Sequence, residues 1–254
     1  MVTTDTTVET KPGVKPKPPR TETGAYWEKF ERFEKSSKDA PWVRSARKAG
    51  IARFAELGFP TMQDEDWRFT NVAPIARLPV KPVRELMREG VTAQALGQLT
   101  FAGLAGSKLV FVNGHFAPDL SSIAQLPEGA KVTSLAAALA SDSALAEKHL
   151  FRHARADANA FTALNTAFFQ DGAFIYVPAG KAVPDPVHLL FVSTAKENGT
   201  TAHPRNLIVA ERGGKVTVIE SYVSLSDSAY FTNSVTELVA GDGGIVEQIG
   251  RAHV

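Results

Sequence analysis

Hydrophobic positions fall into two regimes along the chain. From Tyr26 to about Phe169, apolar residues tend to recur three and four apart, the spacing that gathers them on one helix face. Tyr26, Trp27, Phe30 and Phe33 make the first stripe. Val43, Ala46, Ile51, Phe54 and Leu57 make the second. The second helix is expected to start at Pro41, because proline suits the first turn, where its missing N–H is not needed. Gly58 and Pro60 then supply a stop. Two helices with a short polar link predict a helical hairpin. A short helix is expected over Thr92–Gln98 and a longer one, in one or two pieces, over Leu135–Leu150. Another covers roughly Asn159–Phe169, with Phe161, Leu164 and Phe168 on one face and Asp171-Gly172 ending it. Within this half, KLVFVNGHF alternates around Asn113-Gly114, a two-residue β-hairpin signal.

After Gly172 the pattern changes. β-branched, apolar runs follow one another: AFIYVP, VHLLFVS, NLIVA, KVTVIESYV, YFTNSVTELV and GIVEQ. Turn residues separate them, among them Pro184-Asp185-Pro186, Asn198-Gly199, Gly213-Gly214 and Gly241 to Gly244. No helical pattern intervenes, which excludes a parallel α/β sheet with crossover helices. Several runs are apolar on both faces, as at Leu207, Ile208 and Val209. A β-sandwich and a β-helix of stacked coils both satisfy this. Strand starts recur unevenly, about 9–19 residues apart, without a clean repeat. Pattern alone leans to the sandwich, the commoner architecture.

Composition narrows the chemistry. The chain has 254 residues, enough to bury a sizeable core. Its 28 basic and 27 acidic residues nearly cancel, so the basic excess of a nucleic-acid binder is missing. It has no cysteine, which excludes disulfides, thiolate zinc sites, a Cys nucleophile and cysteinyl ligation of a cluster by this chain. No apolar run approaches the ~20 residues that span a bilayer. Residues 1–24 are rich in Thr, Pro and Lys, with Asp5, Glu9 and Glu22 mixed in. They lack the apolar stretch of a secretory signal and are expected to be a disordered leader, partly polyproline II. A cytoplasmic location is expected.

Catalytic signatures are missing. Gly180-Lys181 is followed by Ala182, not by the Ser or Thr of a phosphate loop, and Gly241 to Gly244 precede a strand rather than a helix. His149 and His153 are four apart on an expected helix, yet no carboxylate is placed to complete a metal site, so a solvated helix face is expected. His188 lies in a β run with Leu190 where a cupin would carry a second histidine, and reads as structural. His203-Pro204-Arg205 reads as a turn. In QDEDWRFTN, residues 63–71, Trp67 and Phe69 are expected to dock on the helical hairpin while Arg68 pairs with a neighbouring acid.

Three stretches carry a resemblance. GFPTMQDEDWRFTNVAPI (58–75), FTALNTAFFQDGAFIYVPAG (161–180) and HPRNLIVAERGGKVTVIESYVS (203–224) resemble, in this order, motifs of the SufB/SufD family of iron–sulfur assembly proteins. The helical hairpin feeding DEDWRFTN resembles the SufD type. The resemblance implies a scaffold, not an enzyme, and replaces the sandwich by a right-handed parallel β-helix behind an N-terminal helical region. It implies pairing with SufB through the β-helix and with the SufC ATPase through a C-terminal helical segment. The intact complex is expected to handle iron, sulfide and, through SufC, ATP, with no cofactor bound by this chain. The functional histidine of the family lies in a C-terminal part that no residue here matches, so no catalytic, cofactor or metal residue is assigned. Residues 25–170 are expected to form a helical and mixed domain, and residues 171–248 an incomplete β-helix. The tail IGRAHV, residues 249–254, translates a common sequencing-adapter sequence and is expected to be non-native, His253 included. An unfinished stack is expected to be poorly soluble or to associate. A β-helical carbohydrate-active enzyme and a β-sandwich binding module are the alternatives, the first disfavoured because Asp185, Glu220 and Asp227 show no regular alignment.

Overall fold

A computed structural model describes residues 21–87, 90–97, 101 and 103–252. Residues 1–20 of the leader expected over 1–24, and His253, lie outside the described residues. Helix α1 runs Thr21–Ser36, so residues 21–24 belong to a helix and not to the leader. Burial of Thr23, Tyr26, Phe30 and Phe33 anchors this helix. Helix α2 runs Pro41–Leu57 with proline in its first turn, and the Gly58 N–H closes it on the Phe54 carbonyl at 2.8 Å. A 3-10 turn, Glu65–Trp67, leads to helix α3 (Ala73–Ala76). Strand β1 (Lys81–Pro82) and helix α4 (Ala93–Gly97) follow.

The expected hairpin forms between β2 (Lys108–Val112) and β3 (His115–Phe116). Asn113 and Gly114 both take left-handed backbone, φ 50° and 85°, as a primed turn requires. Next come β4 (Lys131–Ser134), α5 (Leu135–Ser141) and α6 (Ser143–His149), the helical stretch in two pieces. Helix α7 (Ala160–Phe168) starts where the Asn159 side chain accepts the Thr162 N–H at 2.8 Å. It ends at Phe168, before Asp171-Gly172. The Asp171 carboxylate instead accepts the backbone N–H groups of Phe116, Ala136 and Gly172, fixing the passage from helices to sheets. Tyr26, Phe30, Phe54 and Phe168 form the core shared by α1, α2 and α7. Arg47, 3 % exposed, ties α2 to the end of α7 through the Ala167 and Phe169 carbonyls and pairs with Asp39 at 2.7 Å.

From residue 173 onward the chain winds. The strands are β5 (Ala173–Val177), β6 (Val187–Ser193), β7 (Thr200–Ala202), β8 (Arg205–Ala210) and β9 (Lys215–Ser224). They are followed by β10 (Tyr230–Thr232), β11 (Val235–Ala240) and β12 (Ile245–Ala252). Successive strands do not pair with each other. Each joins, in parallel, the strand three places earlier or later, so the chain visits three sheets in rotation. Thr200 pairs with Tyr230, Arg205 with Val235 and Lys215 with Ile245, each thirty residues further on. The turn glycines keep the same step: Gly213-Gly214 and Gly243-Gly244 end equivalent turns, and the Gly213 N–H donates to the Asp242 carbonyl at 2.9 Å.

This overturns two expectations. Parallel pairing across three sheets is not the antiparallel sandwich that pattern alone favours. A repeat also exists, carried by every third strand, which uneven spacing between consecutive strands conceals. Strands apolar on both faces follow from the architecture. Leu109, Leu189, Ile175 and Ile208 point into one cluster, while Phe174, Leu207 and Val209 point out under α5 and α6. Strands from before residue 170 complete the sheets: β1 pairs with β7 and β2 with β6 in parallel, and β4 pairs antiparallel with β5. In-register stacking aligns like with like. Phe111 lies on Phe191 and Phe191 on Tyr222, with ring centroids 5.1 and 4.8 Å apart.

Candidate functional site

Apart from the neighbouring pair His149 and His153, the described histidines are dispersed. His149 is not on a solvated face: only 8 % of it is exposed, because α6 turns it against the sheets, and its ring stacks on that of His153 at 6.0 Å. Burial, with Lys148 and His153 adding to it, lowers its pKa. His188 is structural as expected. It is buried, its Nε2 lies 2.9 Å from the Ser221 hydroxyl, and burial holds its pKa down to about 4. His203 sits in the turn between β7 and β8, buried on the face of Phe168 at 5.5 Å, and burial holds it at about 3. Among the described residues no group of three or more His, Asp or Glu side chains is placed to hold a metal ion.

The acid-rich stretch is organised differently from expectation. Asp64 closes its own turn by accepting the Thr61 N–H at 2.6 Å. Trp67 does dock, with its ring 5.2 Å from that of Phe161 on α7. Phe69 does not: it is 86 % exposed, and Arg68 lies over its ring at 4.5 Å instead of pairing with an acid. The 3-10 turn ending at Trp67 changes the direction of the chain, so alternate aromatic residues no longer share a face.

The concentrated chemistry centres on Arg205, which opens β8 and is fully buried instead of completing the turn expected at His203-Pro204-Arg205. Arg205 on β8 and Glu237 on β11 form an ion pair, 2.6 Å long, whose side chains are fully buried. Arg205 also donates to the Asn165 and Thr166 side chains of α7 and to the Ala154 carbonyl. Glu237 further accepts the backbone N–H groups of Phe151, His153 and Ala154 at 2.8, 2.9 and 3.2 Å. A buried charge is tolerable only when paired and fully hydrogen-bonded, which this pair is. Deeper in the stack, Glu220 of β9 accepts from Tyr222, from Thr236 of β11 and from Gln248 of β12 at 2.7, 3.0 and 2.7 Å. The available signal was a charged residue inside an otherwise apolar β run: Arg205 in HPRNLIVA, Glu220 in KVTVIESYV and Glu237 in VTELV.

A cavity of about 730 Å³ opens between the sheet of β7 and β10 and that of β6 and β9. Phe191, Tyr222, Ser224, Asp227 and Tyr230 help line it. Its polar lining includes hydroxyls and the Asp227 carboxylate, without Lys, Arg or His. Beyond it, β10, β11 and β12 are each the outer strand of their sheet. Together they make one face of unpaired backbone with Leu238, Ile245 and Ile249 exposed by 40, 46 and 54 %. Such a face is suited to pairing with further strands. Among the described residues no helix is long and apolar enough to cross a membrane.

Comparison with known proteins covers nearly all the described chain. Residues 21–189 match the model of the SufBD protein N-terminal region, and residues 191–250 that of the SufBD core domain of the SUF system for FeS cluster assembly. The chain is 28 % identical over 212 residues to an iron–sulfur cluster assembly SufBD family protein of Synechocystis sp., covering 80 % of this chain and 46 % of that one. It is 27 % identical over 229 residues to the iron–sulfur cluster assembly protein SufD of Bacillus subtilis, covering 86 % and 50 %. A chloroplastic SufBD family protein of Arabidopsis thaliana is 28 % identical over 233 residues, covering 87 % and 41 %. The chain thus spans about half the length, or less, of these curated relatives.

Proposed function

Because this chain belongs to the SufB/SufD family of iron–sulfur cluster assembly proteins, we propose that it is a SufD-type scaffold, a non-catalytic subunit that pairs with SufB and SufC in a SufBCD complex. The coil stack carries this reading. Strands that visit three sheets in rotation, with a parallel step of 30 to 33 residues per turn, support a right-handed parallel β-helix. That is the architecture through which the family resemblance has SufB and SufD pair.

A non-catalytic role is supported by how the buried carboxylates are employed. Glu220 and Glu237 spend their lone pairs on hydrogen bonds that bind strand to strand and loop to strand. In this reading iron and sulfide are cargo of the assembled complex, and ATP belongs to SufC. The SufD assignment within the family rests on the hairpin of α1 and α2 that precedes DEDWRFTN, and a Bacillus subtilis relative carries that name. The proposed location is the cytoplasm.

Tagging the protein at its chromosomal locus tests the proposal. SufB and SufC are expected to co-purify with it, and no glycan to bind. Recovery of neither partner from cells that express both overturns the reading. Residues 1–254 produced alone are expected to retain little SufC, which the resemblance assigns to a C-terminal helical segment.

A further inference from the structure

The loop between α6 and α7 bears an unusual backbone. Phe151 has φ 65°, a left-handed conformation that L residues with bulky side chains rarely adopt. Its ring is no spectator: it packs on Trp42 of α2 at 5.9 Å and on Phe169 at 5.5 Å. The N–H groups of Phe151, His153 and Ala154 converge on the two oxygens of one carboxylate, that of Glu237. Successive N–H groups turned to one side by a left-handed residue form an anion nest. Arg205 then closes over it, donating to Glu237 and to the Ala154 carbonyl, with its guanidinium 4.9 Å from the centre of the Phe151 ring.

The carboxylate that fills this nest does not belong to the helical region. It comes from β11, which pairs with β8. Without Glu237, three converging N–H groups lose their acceptor, and only the packing of its ring is left to offset the strained Phe151 backbone. The loop therefore closes only on a seated β11.

We propose that residues 150–154 are a strap latched by Glu237, so that the position of β11 is read by the helical region through one buried carboxylate. Displacement of β11 frees the strap, lets Phe151 leave its left-handed conformation and unpacks it from Trp42. Seating β11 does the reverse. The coupling is internal to the chain and independent of the partners proposed above.

Native-state hydrogen exchange on the unaltered chain tests it directly. The amides of Phe151, His153 and Ala154 are expected to open together with those of β11, in a step easier than the opening of β5 and β6. Strap amides that exchange independently of β11, or only with β5 and β6, overturn the proposal. Two variants sharpen the test. Glu237→Gln is expected to speed strap exchange at least tenfold with β5 and β6 unchanged. It should also raise quenching of Trp42 by acrylamide in a Trp27→Phe, Trp67→Phe background. Arg205→Met with Glu237→Met removes both charges, leaves no unpaired ion, and is expected to fold with an open strap. A folded double variant whose strap is as protected as in the unaltered chain overturns the latch.

Discussion

Single residues set how this chain responds to pH. Burial holds the imidazole of His203 at about 3 and that of His188 at about 4, whereas in an unfolded chain both titrate near 6.5. Below about pH 6.5 the unfolded chain takes up protons that the folded chain refuses. Stability therefore falls with pH, down to about 4 for His188 and about 3 for His203. Each histidine contributes about 1.4 kcal/mol per pH unit in its window. Asp171 works the other way, because burial raises its carboxyl and the folded chain takes that proton more readily. A difference measurement isolates one group. Replacing His203 by Phe keeps a ring on Phe168, and Asn233 retains the Phe161 carbonyl as acceptor at 2.9 Å. Urea titrations between pH 6 and 4 are expected to show the variant gaining on the parent by about 1.4 kcal/mol per unit; parallel pH profiles would refute this. Gly172 is constrained in another way. A Cβ there would lie 2.0 Å from the Arg205 carbonyl oxygen, so Gly172→Ala is expected to cost about 3 kcal/mol or more, measured by the same titration.

At the scale of elements, the helical half was legible because its signals are local. Pro41, Asn159 and Asn113-Gly114 mark their elements by backbone chemistry that works at short range. The 58–75 stretch was less legible, since which aromatic docks depends on the 3-10 turn at Glu65–Trp67 and on a surface, that of α7, nearly a hundred residues away. Two truncations separate these aromatics. Trp67→Ala removes a ring packed against Phe161 and is expected to cost roughly 2–3 kcal/mol. Phe69→Ala removes one that is 86 % exposed and is expected to change stability by no more than about 0.5 kcal/mol. Equal losses in thermal melts would restore the view that both dock. The network around Arg205 and Glu237 was not legible, because its members come from α7, the loop before it, β8 and β11. A sequence shows a charge within an apolar run but not the partner that neutralises it.

At the scale of the molecule, the thirty-residue period was written in the sequence but split across three strands of unequal length. Tyr230–Thr232 is too short to register as a strand by alternation, and Lys215–Ser224 is long. The paired glycines at 213-214 and 243-244 preserve the period, because a turn stacked on a turn must keep its length. The same stacking has a physical consequence at the outer coil. Each inner strand satisfies its backbone on both sides, whereas β10, β11 and β12 satisfy theirs on one. Natural sheets protect such edges with charge, proline or a covering element. Here Leu238 and Ile245 stand 40 and 46 % exposed on two of the three edge strands. Residues 1–254 are therefore expected to self-associate at micromolar concentration, with a sedimentation coefficient that rises with loading. Placing Lys at both positions adds like charges to any edge-to-edge contact while leaving the buried positions of β8 and β9 untouched. That variant is expected to sediment as a monomer with an unaltered circular dichroism spectrum. A parent chain that is monomeric across the whole range, or a double-Lys variant that associates as strongly, would show that this face is not the adhesive one.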